Sequence, residues 1–418
     1  MDSKNLTLST LASMEDYDPN SMPVEQARQL IKQFLSPVTE TETIKIQNAF
    51  HRTLAVDVLS PMNVPPHDYS SMDGYAVRAA DLTGSTNKLK KIGSSFAGHG
   101  FQGKIGAGEC VRIMTGATIP AGSDSVVMQE QTKVDGDTIE INAGCKRGQN
   151  IRLVGEDIQQ GAVVLAQGQR INAAEMGLLA SLGFAEIKVF RKLKIAIFST
   201  GDELVQPGNA LAGGQIYDSN RFTLLGLLTE LGAEILDMGN IRDDKDAVRA
   251  ALQKASSQAD VIITSGGVSV GDADYIKELL DELGEVVFWK LAMKPGRPLA
   301  YGKVGNCHFF GLPGNPVAVM VTFLQFVRNA LWELMGQHPK PAFSFQAICT
   351  MPIKKAAGRT EFQRGILTQG DDSVWRVQTT GEQGSGILSS MSRANCFIVL
   401  PMEQGNVEKG SVVQIQLF

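Results

Sequence analysis

Cysteine is scarce in this chain, and its placement excludes two kinds of structure. Cys110, Cys145, Cys307, Cys349 and Cys396 are odd in number, far apart and without a CxxC pair. That disfavours a disulfide framework and a zinc knuckle, and leaves buried thiols in a reducing cytosol as the plain reading. The five histidines show no HExxH or other paired spacing. No stretch approaches roughly 18 consecutive apolar residues, so no membrane span is expected. The opening segment MDSKNLTLSTLASMEDYDPN lacks a basic stretch followed by an apolar one, and so does not read as a signal peptide. A basic surplus is missing too. Lys+Arg number 39 against 44 Asp+Glu, a net charge of -5. Such a balance carries no nucleic-acid footprint, while leaving room for a local basic pocket.

What is present is a globular composition, 43% hydrophobic and 20% charged over 418 residues. That length is too great for one core and implies about two to four domains. From about Leu193 to Gly336 the pattern alternates strand and helix. LKIAIFST, EILDMGN, DVIITS and EVVFWKLA read as buried strands, and a final pair of short strands precedes GLPGNPVAVMVTFLQF. DSNRFTLLGLLTELGAE reads as a helix capped by Asp218, Ser219 or Asn220 and stopped by Gly232. DKDAVRAALQKASSQA and DADYIKELLDELG read as helices, and Asn315-Pro316 as the start of another. This alternation predicts a parallel sheet covered on both faces, with its ligand site beyond the carboxyl ends of the strands. The flanks differ. Residues 41–149 hold short Val/Ile-rich runs (AVDVLS, ECVRIMTG, DSVVMQE, DTIEINAG) between Gly and Pro, a β-rich insert. Helices over 21–35 and 172–182 bracket it, the second with a capping box of Asn172 and Glu175 and a stop at Gly183. Segments 15–40 and 150–190 are therefore expected to form one discontinuous linking domain. The α/β domain takes 191–337, and a small C-terminal β domain takes 338–418.

The loops after the strands hold the chemistry. STGDELVQPG offers Thr200 and Gly201 followed by Asp202 and Glu203; a capped turn opening a helix would explain it equally well. ITSGGVSVGDADYIK places Gly266, Gly267 and Gly271 where backbone amides approach an anion closely, but Asp272 follows where a nucleotide-binding loop has lysine. Asp272 serves as a helix cap; Asp274 is left without that explanation. WKLAMKPGRPLAYG brings Lys290, Lys294 and Arg297 to one loop, stiffened by Pro295 and Pro298, and suits a polyanion. GLPGNPVAV aims a helix N-terminus at the same edge. Carboxylates beside an anion site make sense with a divalent cation between them.

STGDEL, TSGGVSVGDADYIK, KPGRPLAYG and FFGLPGNPVAV resemble the MoaB/Mog-like molybdopterin-binding α/β domain. VPPHDYSSMDGYAVRAAD, VRIMTGATIPAGSDSVVMQE, IRLVGEDI, GRTEFQRGIL and QGSGILSSMSRANCFIVLP resemble the molybdopterin molybdenumtransferase family, MoeA in bacteria, to which the E domain of gephyrin is related. The resemblance implies insertion of molybdate into adenylylated molybdopterin, with Mg2+-dependent hydrolysis of the pyrophosphate linkage and release of AMP. It implies a cytoplasmic homodimer with a shared active site, a barrel-like C-terminal domain, and transient contact with molybdopterin adenylyltransferase and molybdoenzyme maturation proteins. Nucleic acid and membrane are not implied. By motif, Asp73 resembles an active-site acid and Thr115 a substrate-contacting threonine. Glu203, Asp243 and Asp274 resemble acids near the pyrophosphate and Mg2+. Gly266 and Gly267 belong to the phosphate-holding loop. Lys290, Lys294, Arg364 and Ser385 resemble groups that contact the anions, molybdate included, and Pro313 and Pro316 the prolines of the PGNP turn.

Asp73 precedes glycine, so a turn role competes with catalysis there. Asp157 in GEDI is open between site and structure. A molybdopterin adenylyltransferase would need little beyond the α/β domain. A molybdopterin-binding scaffold would favour an extra domain and a long linker. Tungstate and molybdate are too alike in charge and size for the sequence to separate. Asp274→Ala is predicted to abolish AMP release while a molybdopterin-induced rise in melting temperature persists; loss of that rise as well would make Asp274 a binding residue.

Overall fold

In the computed structural model, the described residues are 18, 20–142, 144–266, 274–338 and 341–418, with backbone alone for 274–276. They group into two compact units. The first comprises the residues up to Ala55, Gly168–Asn172 and Ile187–Phe418; the second comprises Val56–Gln167 and Ala173–Glu186.

The first unit is built on the apolar strands of the central region. β1 (Lys194–Thr200), β2 (Glu234–Ile241), β3 (Val261–Ser265), β4 (Gly284–Lys290), β5 (Pro298–Val304) and β6 (Cys307–Leu312) form one sheet, ordered β2-β1-β3-β6-β5-β4. Successive side chains leave a strand on opposite faces, so a run such as Ile195 to Phe198 must be covered on both. Ile195, Ile197, Ile263 and Phe310 pack under α2 (Ser219–Leu231) through Leu224 and Leu228. Ala196, Phe198, Ile262 and Phe309 pack under α3 (Lys245–Gln258) and α4 (Asp274–Leu283) through Leu252, Leu279 and Leu280. The caps fall where the sequence put them. The Asp218 carboxylate accepts the Arg221 N–H at 3.2 Å, and Gly232 ends α2 in the left-handed region with φ of 80°.

The sheet is mixed, which corrects the parallel expectation. β5 runs antiparallel to both β6 and β4. Its pairing with β6 brings Val304 opposite Cys307, leaving only Gly305 and Asn306 to connect them. Two residues can close a hairpin but cannot carry a parallel crossover. The other five strands still run in one direction, so their carboxyl ends share one edge.

The flanking segments complete this unit. The helix α1 (Val24–Gln33) buries Val24, Ala27, Leu30 and Ile31 in the same core as β1 and β3. α5 (Pro316–Thr322) continues through a π-helical turn, Phe323–Val327, into a helix over Arg328–Leu334. Residues Pro316–Leu334 are long and apolar enough to cross a membrane by composition, but 72% of that stretch is buried within the protein, where Val317, Phe323, Phe326 and Leu331 fill the core. The last five strands, β7 (Ser344–Cys349), β8 (Thr360–Gln369), β9 (Trp375–Thr379), β10 (Cys396–Leu400) and β11 (Val412–Leu417), close on themselves in the order β8-β9-β7-β11-β10-β8. This is a closed five-stranded barrel, lined by Cys349, Leu367, Val377, Ile398 and Ile415.

The second unit holds a six-stranded sheet in the order Ser125–Met128, Gly74–Val77, Glu109–Ile113, Asn87–Ser95, Thr138–Ile141, Thr132–Asp135. Apolar cores lie on both its faces, one around Tyr75, Val77 and Val127, the other around Ala76, Val111 and Val126. A helix over Ala173–Ser181 also belongs to this unit, and Gly183 follows it with φ of 81°. The compact grouping thus places the two bracketing helices in different units, because the apolar face of α1 is taken up by the α/β core.

Phe310 sits fully buried, 5.1 Å from the Tyr301 ring, which stacks 6.1 Å from Trp289. Phe310→Ala is expected to cost about 3–5 kcal/mol through lost burial and a residual cavity. Thermal unfolding followed by tryptophan fluorescence would register it as a melting transition several degrees lower.

Candidate functional site

Two groups of polar residues stand out, one in each unit. In the second, the strand Gly74–Val77 pairs antiparallel with Glu109–Ile113, with Gly74 opposite Ile113. That register carries the loop before one strand to the loop after the other. The Thr115 N–H donates to Asp73 Oδ1 at 2.7 Å, and its hydroxyl donates to the same oxygen at 2.8 Å. Those bonds, the backbone one foremost, hold the Asp73 carboxyl below its ordinary range, with a smaller contribution from the charge of Arg112. Arg112 donates to the Gly74 carbonyl at 2.8 Å and lies over the Tyr75 ring. Asp73 therefore does more than turn the chain: it is a carboxylate locked to a threonine with its second oxygen free of these two bonds. Sequence reasoning passed over Arg112, whose signal was its place two residues before the MTGAT loop. Asp157 lies in the turn region of the same unit, its N–H donating to the Val64 carbonyl at 3.0 Å.

In the first unit the groups gather at the carboxyl edge of the sheet. After β1, the loop 201–217 folds back: Ile216 N–H donates to the Glu203 carbonyl at 2.9 Å, and Asn240 Nδ2 donates to the carbonyls of Gly201 and Leu204. No helix opens there, because a short parallel pair, Leu204–Val205 with Ile216–Tyr217, takes the backbone instead. Asp202 Oδ1 accepts the Asp243 N–H at 3.2 Å, so the ends of β1 and β2 place Asp202, Glu203 and Asp243 in one exposed acidic neighbourhood. Asp202 was visible in the sequence but overshadowed by Glu203. Beneath these loops lies a buried network. Ser199 Oγ meets Asp218 Oδ1 and Ser265 Oγ, each at 3.1 Å, and Arg221 bridges Asp218 at 3.1 Å and Asp237 at 2.6 Å. It ties the ends of β1 and β3 to the start of α2. Gly266 follows β3 with φ of 87°, and a Cβ there would stand 2.8 Å from the Thr200 carbonyl, so only glycine fits. Gly267 lies outside the described residues. So does the side chain of Asp274, whose backbone starts α4.

The cations occupy the loop between β4 and β5 and the barrel strand beside it. Lys290 ends β4, and Met293–Lys294 pairs in parallel with Thr360–Glu361 at the start of β8. Lys294 Nζ stands 3.7 Å from Glu361 Oε1. Three residues along β8, Arg364 is 1% exposed; its Nε donates to Ser390 Oγ and its Nη2 to the Gly384 carbonyl, each at 3.0 Å. Burial pushes its pKa down to about 10. The neighbouring loop reaches the PGNP turn: the Val317 N–H, in the first turn of α5, donates to the Ser385 carbonyl at 3.0 Å. Asn220 Nδ2 donates to the Gly314 carbonyl at 2.7 Å, while its Oδ1 and the buried Thr200 Oγ1 have no hydrogen-bond partner among the described residues. Glu203, Asp243, Gly266, Lys290, Lys294, Pro313, Pro316, Arg364 and Ser385 are thus all in the first unit, on the sheet edge and the barrel strand joined to it. Asp73 and Thr115 are in the second.

Among the described residues no group of three or more His, Cys, Asp and Glu side chains stands close enough to hold a metal by itself. The donor chemistry still fits Mg2+. That ion takes hard oxygen ligands and is commonly bound by one or two carboxylates together with substrate phosphates.

A covered α/β sheet offering glycine, carboxylates and cations at one edge, with a barrel strand supplying one further cation, defines an anion-binding α/β protein. Family models agree. The MoeA N-terminal region (domain I and II) matches residues 22–183, a probable molybdopterin binding domain matches 196–333, and the MoeA C-terminal region (domain IV) matches 346–418. The chain is 48% identical over 399 residues to the molybdopterin molybdenumtransferase of Haemophilus influenzae, covering 95% of this chain and 98% of that one. It is 34% identical to the protein of that name from Bacillus subtilis, covering 95% and 94%. A crystal structure of the molybdopterin biosynthesis moeA protein from Pyrococcus horikoshii OT3 superposes with a TM-score of 0.82 at 29% identity, covering 96% of this chain and all of that one. The chain belongs to the molybdopterin molybdenumtransferase family.

Thr115→Val removes the hydroxyl donor to Asp73 and keeps the backbone one. The Asp73 carboxyl is expected to titrate at higher pH, part of the way back to its ordinary value, in a 13C NMR titration. A group with a depressed native pKa stabilises above its unfolded pKa and loses that contribution as pH falls through the native one. In Thr115→Val the acid limb should therefore lose less stability in total and level off at a higher pH, its onset still set by the unfolded carboxyl.

Proposed function

We propose that this chain acts in molybdenum cofactor biosynthesis as a molybdopterin molybdenumtransferase, inserting molybdate into adenylylated molybdopterin with hydrolysis of the adenylate and release of AMP. What supports the reading is the placement of Lys290, Lys294 and the PGNP turn at the carboxyl edge of the sheet, with Ser385 against that turn and Arg364 bonded to the adjoining Gly384, and with a separate acidic neighbourhood at the same edge. The cations and helix N-terminus suit a dianion such as molybdate and the phosphates of the substrate.

Glu203, Asp243 and Asp274 are the residues that would hold Mg2+, which when bound supplies positive charge to the phosphoanhydride. The protein's own groups do the rest. Lys290 offsets negative charge that develops as the anhydride is cut, and Lys294 holds the bound dianion. Arg364, anchored by Ser390 and Gly384, presents a fixed guanidinium that need not reorganise. Gly266 lets backbone come close to a phosphate. Asp73, kept ionised by Thr115, is suited to orient water through its second oxygen, and we place it in the shared site of a homodimer, facing the sheet edge of the other subunit. A cytoplasmic location and transient contact with the adenylyltransferase and with molybdoenzyme maturation proteins accompany this reading. The adenylyltransferase alternative leaves the Asp73–Thr115 pair and the barrel cations without a task.

Incubation with adenylylated molybdopterin, Mg2+ and molybdate is expected to release AMP and yield active cofactor. Addition of EDTA should suppress the release, and excess Mg2+ should restore it. Absence of AMP under the complete conditions would overturn the reading.

A further inference from the structure

Glu361 is a buried acid to which the motifs give no task. It lies on β8, two and four residues before Gln363 and Gly365, so its side chain shares the face that Leu367 continues into the barrel core. It is 3% exposed. A carboxylate at that depth needs charge and hydrogen bonds to offset desolvation. Gln363 Nε2 donates to its Oε2 at 2.8 Å, and the positive charge of Lys355, in the connection between β7 and β8, acts on it. Lys355 is itself held fast, its ammonium donating to the carbonyls of Gln404 at 2.7 Å, Ala356 at 3.3 Å and Met402 at 3.4 Å. Lys294 approaches the other carboxylate oxygen, Oε1, from the solvent side, its side chain 47% exposed.

We propose that Glu361 is a positioning residue that holds the Lys294 ammonium in place for the anion bound at the sheet edge. The proposal rests on the reading of Lys294 as an anion-binding group. A lysine chain is long and rotamer-rich, and one already tethered loses less freedom when it meets a dianion. Glu361 is not needed to fasten the barrel to the loop. Backbone pairing does that, with the Thr360 N–H on the Ala292 carbonyl at 2.9 Å and Met293–Lys294 alongside Thr360–Glu361. The side chain is thus left with the ammonium as its partner across the junction.

The test is a double-mutant cycle read from AMP release with adenylylated molybdopterin and Mg2+ at varied molybdate. Glu361→Gln keeps the shape and removes the charge. It is expected to raise the KM for molybdate about tenfold with kcat within about twofold. Lys294→Met should raise it at least as much, and the double variant should be no worse than Lys294→Met alone. If Lys294→Met leaves KM unchanged, the anion-binding reading of Lys294 fails and the proposal with it. If Lys294→Met raises KM but Glu361→Gln does not, or if the two effects multiply, Glu361 does not act through Lys294, while the reading of Lys294 stands. Should Glu361→Gln fail to melt cooperatively, Glu361→Asp replaces it: an intermediate rise that vanishes in the Lys294→Met background supports the proposal, and one that persists there overturns it.

Discussion

The common direction of five strands is the constraint on which the α/β domain depends. β1, β2, β3, β6 and β4 end at one edge, so every loop that follows them opens on the same side. A single reversed strand, β5, does not disturb this. It begins at that edge beside Lys290, and its partner loop 291–297 therefore adds Lys294 to the site instead of carrying it away. Chemistry needs groups drawn from distant parts of the chain, and the sheet collects them without any loop having to be long.

Much of this was legible. The helix over 219–231 announces both its ends, because Asp218 and Gly232 do local chemistry that neighbours in sequence suffice to define. The glycine and carboxylate loops stood out by composition, but a capped turn opening a helix accounts for the same residues, so composition alone did not assign them. The antiparallel course of β5 was not legible. Its residues are as apolar as those of the parallel strands of the sheet, and direction depends on what the two-residue Gly305-Asn306 link can span. The docking of α1 was half legible: its apolar stripe shows that a face is buried, but not that the α/β core receives it.

The site residues divide along the same line. The pairing of Asp73 with Thr115 depends on two strands meeting in register across 42 positions of sequence. Nothing local signals that. Glu361 is a harder case, because a glutamate within GRTEFQRG looks like any exposed strand residue. Its burial follows from the pleat of β8 and the closure of the barrel, both of which are properties of the assembled sheet.

The π-helical turn at Phe323–Val327 has a further consequence. The Gln325 carbonyl within it accepts from Arg28 Nε of α1 at 3.0 Å, and the guanidinium also reaches the Gln325 side chain. The central domain of this chain is therefore tied to the N-terminal helix, because its longest core helix is bonded to a residue that precedes it by nearly three hundred positions.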